Sequence, residues 1–178
     1  MSATKPAQTT TTDEPEMPPQ PAVGESAPDF SLPDDEGTVH TLSDEHGKWI
    51  VLYFYPTDDT PGCTVEACEF RDAITDVHAR DAEVWGVSRL GVASKAAFKR
   101  KFQLPFRLFA DETHEVAEKY GTWVEKRNYG KTSMGVRRST FLVDPNGDIA
   151  RVWPKVKPEG HAAEVLQALD EERAARSS

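Results

Sequence analysis

The chain holds only two cysteines, Cys63 and Cys68, both in the stretch YFYPTDDTPGCTVEACEFRD at 53–72. Two cannot staple a chain of 178 residues, and such a close pair is more often catalytic or redox-active than structural. The reactive form of a thiol is the thiolate, and the surroundings of Cys63 favour one. A buried strand ends at Pro56, a loop follows, and Cys63 enters at the first turn of a helix. Unpaired backbone N–H groups and the helix dipole stabilise an anion there and are expected to lower the thiol pKa. That gain has a ceiling. Moving a thiol pKa from about 8.5 to about 6 raises the thiolate fraction at pH 7 only about thirtyfold. Chemistry on an electrophile therefore needs further groups that orient it and take up developing charge. Thr60, three residues before Cys63, can offer a hydroxyl, while Pro56 and Pro61 stiffen the loop and shield the sulfur. Gly62 lets backbone approach a bound molecule closely, so Pro56 and Gly62 are candidate walls of a substrate pocket. Cys68 stands open between two roles, a second redox thiol and an inert cysteine beside the apolar stripe.

The elements that must hold these residues follow from hydrophobic patterning. The run WIVLYFY at 49–55 suits a central strand buried on both faces. Cys63, Ala67, Phe70, Ile74 and Val77 recur at spacings of four, three, four and three, which is one face of a helix. A hairpin over 30–32 and 38–42 precedes them, turning at Asp34-Asp35-Glu36-Gly37. After them come a strand at 83–88, a helix capped by Ser94 and ending at Phe102, a strand at 107–110, and a helix at 111–120 closed by Gly121. The segment 123–135 reads as loop. Strands at 137–143 and 149–153 flank the turn Asp144-Pro145-Asn146-Gly147, and a helix at 160–173 turns Ala163, Leu166 and Leu169 inward. This order predicts an α/β fold, a central mixed sheet flanked by helices with an N-terminal β-hairpin. Residues 1–21 are Thr, Pro, Gln and Ala with scattered acids, too polar to offset chain entropy. They are expected to be a disordered tail, removable without loss of stability, before one domain at 22–178.

Composition excludes several classes of partner. The formal net charge of -9 leaves no electrostatic footprint for nucleic acid or anionic lipid, and Lys99, Arg100 and Lys101 read as a solvated helix face. No stretch approaches the roughly eighteen apolar residues of a membrane span, and the first residues lack a secretory pattern. A cytoplasmic location is the expectation. His40, His46, His78, His114 and His161 are scattered without metal-ligand spacing, and the glycines form no phosphate-binding fingerprint, so neither metal nor cofactor is expected.

Pro56, Thr60 and Cys63 stand in the Pro-x-x-x-Thr-x-x-Cys pattern of peroxiredoxins, and the whole stretch at 53–72 resembles the bacterioferritin comigratory protein or peroxiredoxin Q subfamily. The resemblance spans 22–169 and includes DETHEVAEKYG at 111–121 and GVRRSTFLVDPNG at 135–147. It implies a thioredoxin-like fold, with Cys63 as peroxidatic cysteine, Thr60 as its hydroxyl partner and Cys68 in the resolving position. It also implies a catalytic arginine. Strand alternation sends Arg137 and Arg138 to opposite faces, so only one can reach Cys63, and the family register selects Arg138. The implied activity is reduction of hydrogen peroxide and organic hydroperoxides to water or alcohols. A Cys63 sulfenic acid is captured by Cys68 as an internal disulfide and recycled by thioredoxin or a similar dithiol protein. A monomer is implied as well.

Two other functions compete. In a thioredoxin-like disulfide oxidoreductase two residues usually separate the cysteines; here there are four, and Ser139 stands where that pattern places proline. A redox-switched binding domain would leave Thr60 and Arg138 without a purpose.

Overall fold

The computed structural model describes residues 18–177. In chain order they form β1 (Ser31–Pro33), β2 (Val39–Thr41), β3 (Trp49–Phe54), α1 (Pro61–Asp72), α2 (Ile74–His78), β4 (Ala82–Ser88), α3 (Val92–Phe102), β5 (Arg107–Ala110), α4 (Glu115–Lys119), β6 (Trp123–Asn128), β7 (Lys131–Val136), β8 (Ser139–Val143), β9 (Ile149–Trp153) and α5 (His161–Ser177). The main sheet has the order β5-β4-β3-β8-β9. Its centre is parallel between β3 and β4 and antiparallel between β3 and β8, which makes it mixed, as expected.

All six residues of β3 are buried because both faces of the strand are covered. Val51 and Tyr53, with Tyr55 just beyond the strand, pack with Cys63, Ala67 and Phe70 of α1 and with Val165 and Leu169 of α5. The alternate residues Ile50, Leu52 and Phe54 pack with Phe30, Leu32, Val116, Tyr120 and Phe141. A period of two thus divides one strand between two cores. The antiparallel β1–β2 pair lies on the second side, where Phe30 meets Trp85 and Tyr120 edge to face.

The structure differs from the sequence expectation at several places. The segment read as loop over 123–135 is the hairpin β6–β7, with Asn128 opposite Lys131. Its two turn residues, Tyr129 and Gly130, both have positive φ (52° and 78°), the requirement of a type I′ turn. Residues 131–134 of β7 are exposed, so no buried face marks them as strand. The residue flanking α3 is Gly91 in extended conformation, and the Ser94 hydroxyl instead donates to Asp58 Oδ2 at 2.6 Å. α4 is shorter than expected; the Asp111 carboxylate accepts the Val116 and Ala117 N–H groups at 3.2 and 2.8 Å. In α5, Ala163 is exposed while Ala162, Val165 and Leu169 face inward. β8 begins at Ser139, so Arg137 and Arg138 lie in the joint before it.

The expected tail lies outside the described residues as far as position 17, but its last residues meet the domain. Gln20 Nε2 donates to Ser139 Oγ at 3.3 Å, and the Pro19 carbonyl lies so close to Gly121 that a Cβ there would clash with it. Pro19 and Gln20 thus contact the domain at Gly121 and Ser139. Removing 18–21 in addition to 1–17 is expected to lower the melting temperature. Superimposable melting curves for the two truncations would contradict that docking.

Candidate active site

Pairing between β3 and β8 builds the site. Phe54 lies opposite Ser139, so the end of β3 and the joint before β8 are neighbours across the sheet. From one side the loop 56–60 leads into α1; from the other comes Arg138. Thr60 precedes α1 with extended backbone (φ -105°, ψ 159°), and Pro61 takes the first helical position, where its missing N–H costs no hydrogen bond. The Thr60 carbonyl accepts the Thr64 N–H at 2.8 Å, while the Thr60 side chain makes no capping bond. The helix thus does not use that hydroxyl as its cap. Cys63 is 1% exposed and sits in the core with Tyr53, Tyr55 and Phe70. Pro56 is half-buried, but Pro61 is exposed, so the shielding expected of Pro61 falls to the core around the sulfur.

Arg138 is the arginine that reaches Cys63. Its Nη2 donates to Cys63 Sγ at 3.4 Å and its Nη1 to Glu66 Oε1 at 2.7 Å, so one guanidinium bridges two residues of α1. Its backbone is fixed as well, because the Val156 N–H donates to the Arg138 carbonyl at 3.0 Å. Gly62 is what admits it. A Cβ at Gly62 would stand 3.1 Å from Arg138 Nη2, so this glycine leaves room for the guanidinium. Cys68 lies further along α1, half-buried, and both thiols are free.

Three groups of residues at the site escaped the sequence reading. Glu66 follows Cys63 by three on the same helix face and is fully buried, with Oε2 lacking a hydrogen-bond partner among the described residues. Burial outweighs the attraction of Arg138 and pushes the Glu66 carboxyl up to about 7. An acid three residues from Cys63 beside an apolar stripe was the available signal. Lys126 on β6 is half-buried, and its stem lies over Gly135. Burial, then repulsion by Arg138, depresses its pKa while Cys63 opposes the shift, which places its ammonium in the field of the site. The third group, around Asp58 and Lys95, ties the loop to α3.

The guanidinium can take up charge as a thiolate displaces an oxygen leaving group, and an α/β scaffold with a mixed sheet presents it. Together they define a thiol-based redox enzyme. Comparison with known proteins agrees. Residues 23–152 match the AhpC/TSA family. Peroxiredoxin Bcp of Bacillus subtilis is 48% identical over 147 residues, covering 83% of this chain and 94% of the relative. Peroxiredoxin Bcp of Escherichia coli is 40% identical over 148 residues, covering 83% and 95%. The solved bacterioferritin comigratory protein of Xanthomonas campestris, studied for alkyl peroxide reduction, superposes with a TM-score of 0.80 at 37% identity, covering 85% of this chain and 99% of that one. Xylella fastidiosa PrxQ gives 0.83 at 34% identity, covering 88% and 99%. The chain belongs to the AhpC/TSA family. It is a peroxiredoxin of thioredoxin-like fold, an enzyme that reduces peroxides at the expense of a thiol reductant.

Glu66 supplies a stability test with a definite sign. Its folded pKa of about 7 exceeds its ordinary value of 4.5. A raised carboxyl favours the folded state while protonated, so its contribution is full below 4.5 and is lost as pH rises toward 7. Glu66→Gln removes this ionisation. The melting temperature of the variant minus that of the parent is expected to increase between pH 5 and pH 8. A difference independent of pH would contradict the burial of an ionising Glu66.

Proposed function

We propose that Cys63 is the peroxidatic cysteine, Arg138 and Thr60 its catalytic partners, Pro56 and Gly62 part of the pocket, and Cys68 the resolving cysteine. The observation that carries the reading is the Arg138 guanidinium donating to the buried Cys63 sulfur at 3.4 Å. The thiolate attacks one oxygen of the hydroperoxide; an S–O bond forms, the O–O bond breaks, and the leaving oxygen departs as water or alcohol after taking a proton. Arg138 stabilises the charge that develops on the oxygens, and the Thr60 hydroxyl orients them. The Cys68 thiolate then attacks the sulfenic sulfur; the S–S bond forms, the S–O bond breaks, and the hydroxide leaves as water after taking a proton. Thioredoxin or a similar dithiol protein restores both thiols through two exchanges. Gly62 serves the pocket by leaving space for Arg138. We assign the enzyme to the cytoplasm as a monomer, a setting in keeping with two free cysteines. Among the described residues no helix is long and apolar enough to cross a membrane.

Peroxide consumption coupled to thioredoxin tests these roles. Cys63→Ser is expected to abolish turnover, since a serine hydroxyl has no accessible anion. Cys68→Ser should react once and stop at a sulfenic acid trappable by dimedone. Normal steady-state activity of Cys63→Ser would overturn the assignment.

Forming the bridge requires motion. α1 runs unbroken from Pro61 to Asp72 and carries both cysteines. Residues five apart on an ideal helix have Cα atoms about 8.6 Å apart, from about 7.5 Å of rise and about 140° of rotation. A disulfide tolerates at most about 7 Å. The far half of α1 is pinned, with Glu69 accepting the Gly160 N–H at 3.0 Å and Phe70 packed edge-on against His161. The early turns must therefore melt. Hydrogen exchange at 64–71 should quicken in the Cys63–Cys68 disulfide form. Equal protection in the reduced and verified disulfide forms would refute this.

A further inference from the structure

Asp58 lies midway along the loop, two residues from Pro56 and two from Thr60. Its carboxylate is held on every side. Lys95 Nζ of α3 approaches its two oxygens at 3.2 and 3.1 Å, the Tyr55 hydroxyl donates to Oδ1 at 2.6 Å, and the Ser94 hydroxyl donates to Oδ2 at 2.6 Å. The two charged side chains are 0% and 3% exposed. The Lys95 ammonium also donates to the Ser88 hydroxyl of β4 and stands 5.2 Å from the centre of the Tyr55 ring. The next residue, Asp59, has φ 57° and pairs with Lys101 of α3 at 2.7 Å. Two successive aspartates thus fasten the loop to α3.

Burying an ion pair takes two charges out of water, and a well-packed apolar pair of similar volume often gives equal or better stability. What the pair adds is a fixed position. A displacement of about 1 Å near reacting groups can lower a rate about a hundredfold. Anchorage on α3 and β4 also gives the loop a support outside α1, the helix that must melt when the disulfide forms.

We propose that Lys95 and Asp58 are positioning residues for the peroxide step, setting the loop so that Thr60 and Pro56 stand correctly at Cys63. This rests on the peroxidase reading above. Lys95 acts through Asp58, and its charge also lies within electrostatic reach of Cys63.

The test is the stopped-flow rate of Cys63 oxidation by hydrogen peroxide, from pH 7 to pH 10, for the parent, Lys95→Met and Lys95→Arg. Burial depresses the Lys95 pKa; Asp58 opposes this most, with Cys63 and Asp111 also facing the ammonium and Tyr55, Ser88 and Ser94 as its uncharged surroundings. The parent is expected to lose rate at the alkaline end as Lys95 gives up its proton. Lys95→Arg keeps its charge and should not show that fall. Lys95→Met, with cooperative melting retained, should react about 10- to 100-fold more slowly throughout. A folded Lys95→Met that reacts at the parent rate overturns the proposal. Should Lys95→Met fail to fold, a folded Asp58→Asn that reacts at the parent rate overturns it instead. Failure of the parent to consume peroxide would count against the peroxidase reading itself.

Discussion

A guanidinium 3.4 Å from a buried sulfur constrains most of the molecule around it. The two residues are 75 positions apart and come together only because β3 and β8 pair in one antiparallel register. That register sets Phe54 beside Ser139, so the loop that leaves β3 and the joint that enters β8 open on the same edge. A slip of one residue would turn every side chain of β8 to the opposite face and carry Arg138 away. The apolar run of β3 is thus more than core. It is the fixed member against which both halves of the site are placed, and the absent side chain of Gly62 completes the fit.

The charges near the sulfur are buried in pairs, each with a different task. Arg138 is shared between Cys63 and Glu66, which spares the guanidinium from lying uncompensated in the interior and fixes the plane in which it meets the sulfur. Asp58 and Lys95 tie the loop to α3. Lys126 of the hairpin β6–β7 is half-buried, and burial, then repulsion by Arg138, lowers its pKa. Arg138 donates to the sulfur from the joint before β8, and Lys95 and Lys126 are further basic residues drawn from α3 and β6. An intact α1 could not hold a disulfide between Cys63 and Cys68, which lie five residues apart on it.

Much of this was legible in the sequence, for identifiable reasons. β3 and α1 announce themselves because a fully buried strand and an amphipathic helix impose strong periods on their residues. Cys63 and Thr60 stand out because a helix start has distinctive chemistry. Arg138 was different: strand alternation could not separate it from Arg137, since both precede β8, and the resemblance alone selected it. Glu66 and Lys95 were missed because their partners lie 72 and 37 residues away, and no local pattern reveals a distant counter-ion. The hairpin β6–β7 was missed because its second strand is exposed, so nothing in its polarity distinguishes it from a loop. Fold was carried by local periodicity; the electrostatics of the site were carried by contacts between distant segments.

The contact between Arg138 and Cys63 is the central claim, and its most direct test is the rate of Cys63 oxidation in Arg138→Ala. Single-turnover reaction with hydrogen peroxide would be followed by stopped flow at a pH where the thiol of both proteins is fully ionised. Under that condition a difference reports charge stabilisation in the transition state alone. The structure predicts a loss of about 100- to 1,000-fold, the usual effect of removing one such donor. Equal rates in the two proteins would contradict it.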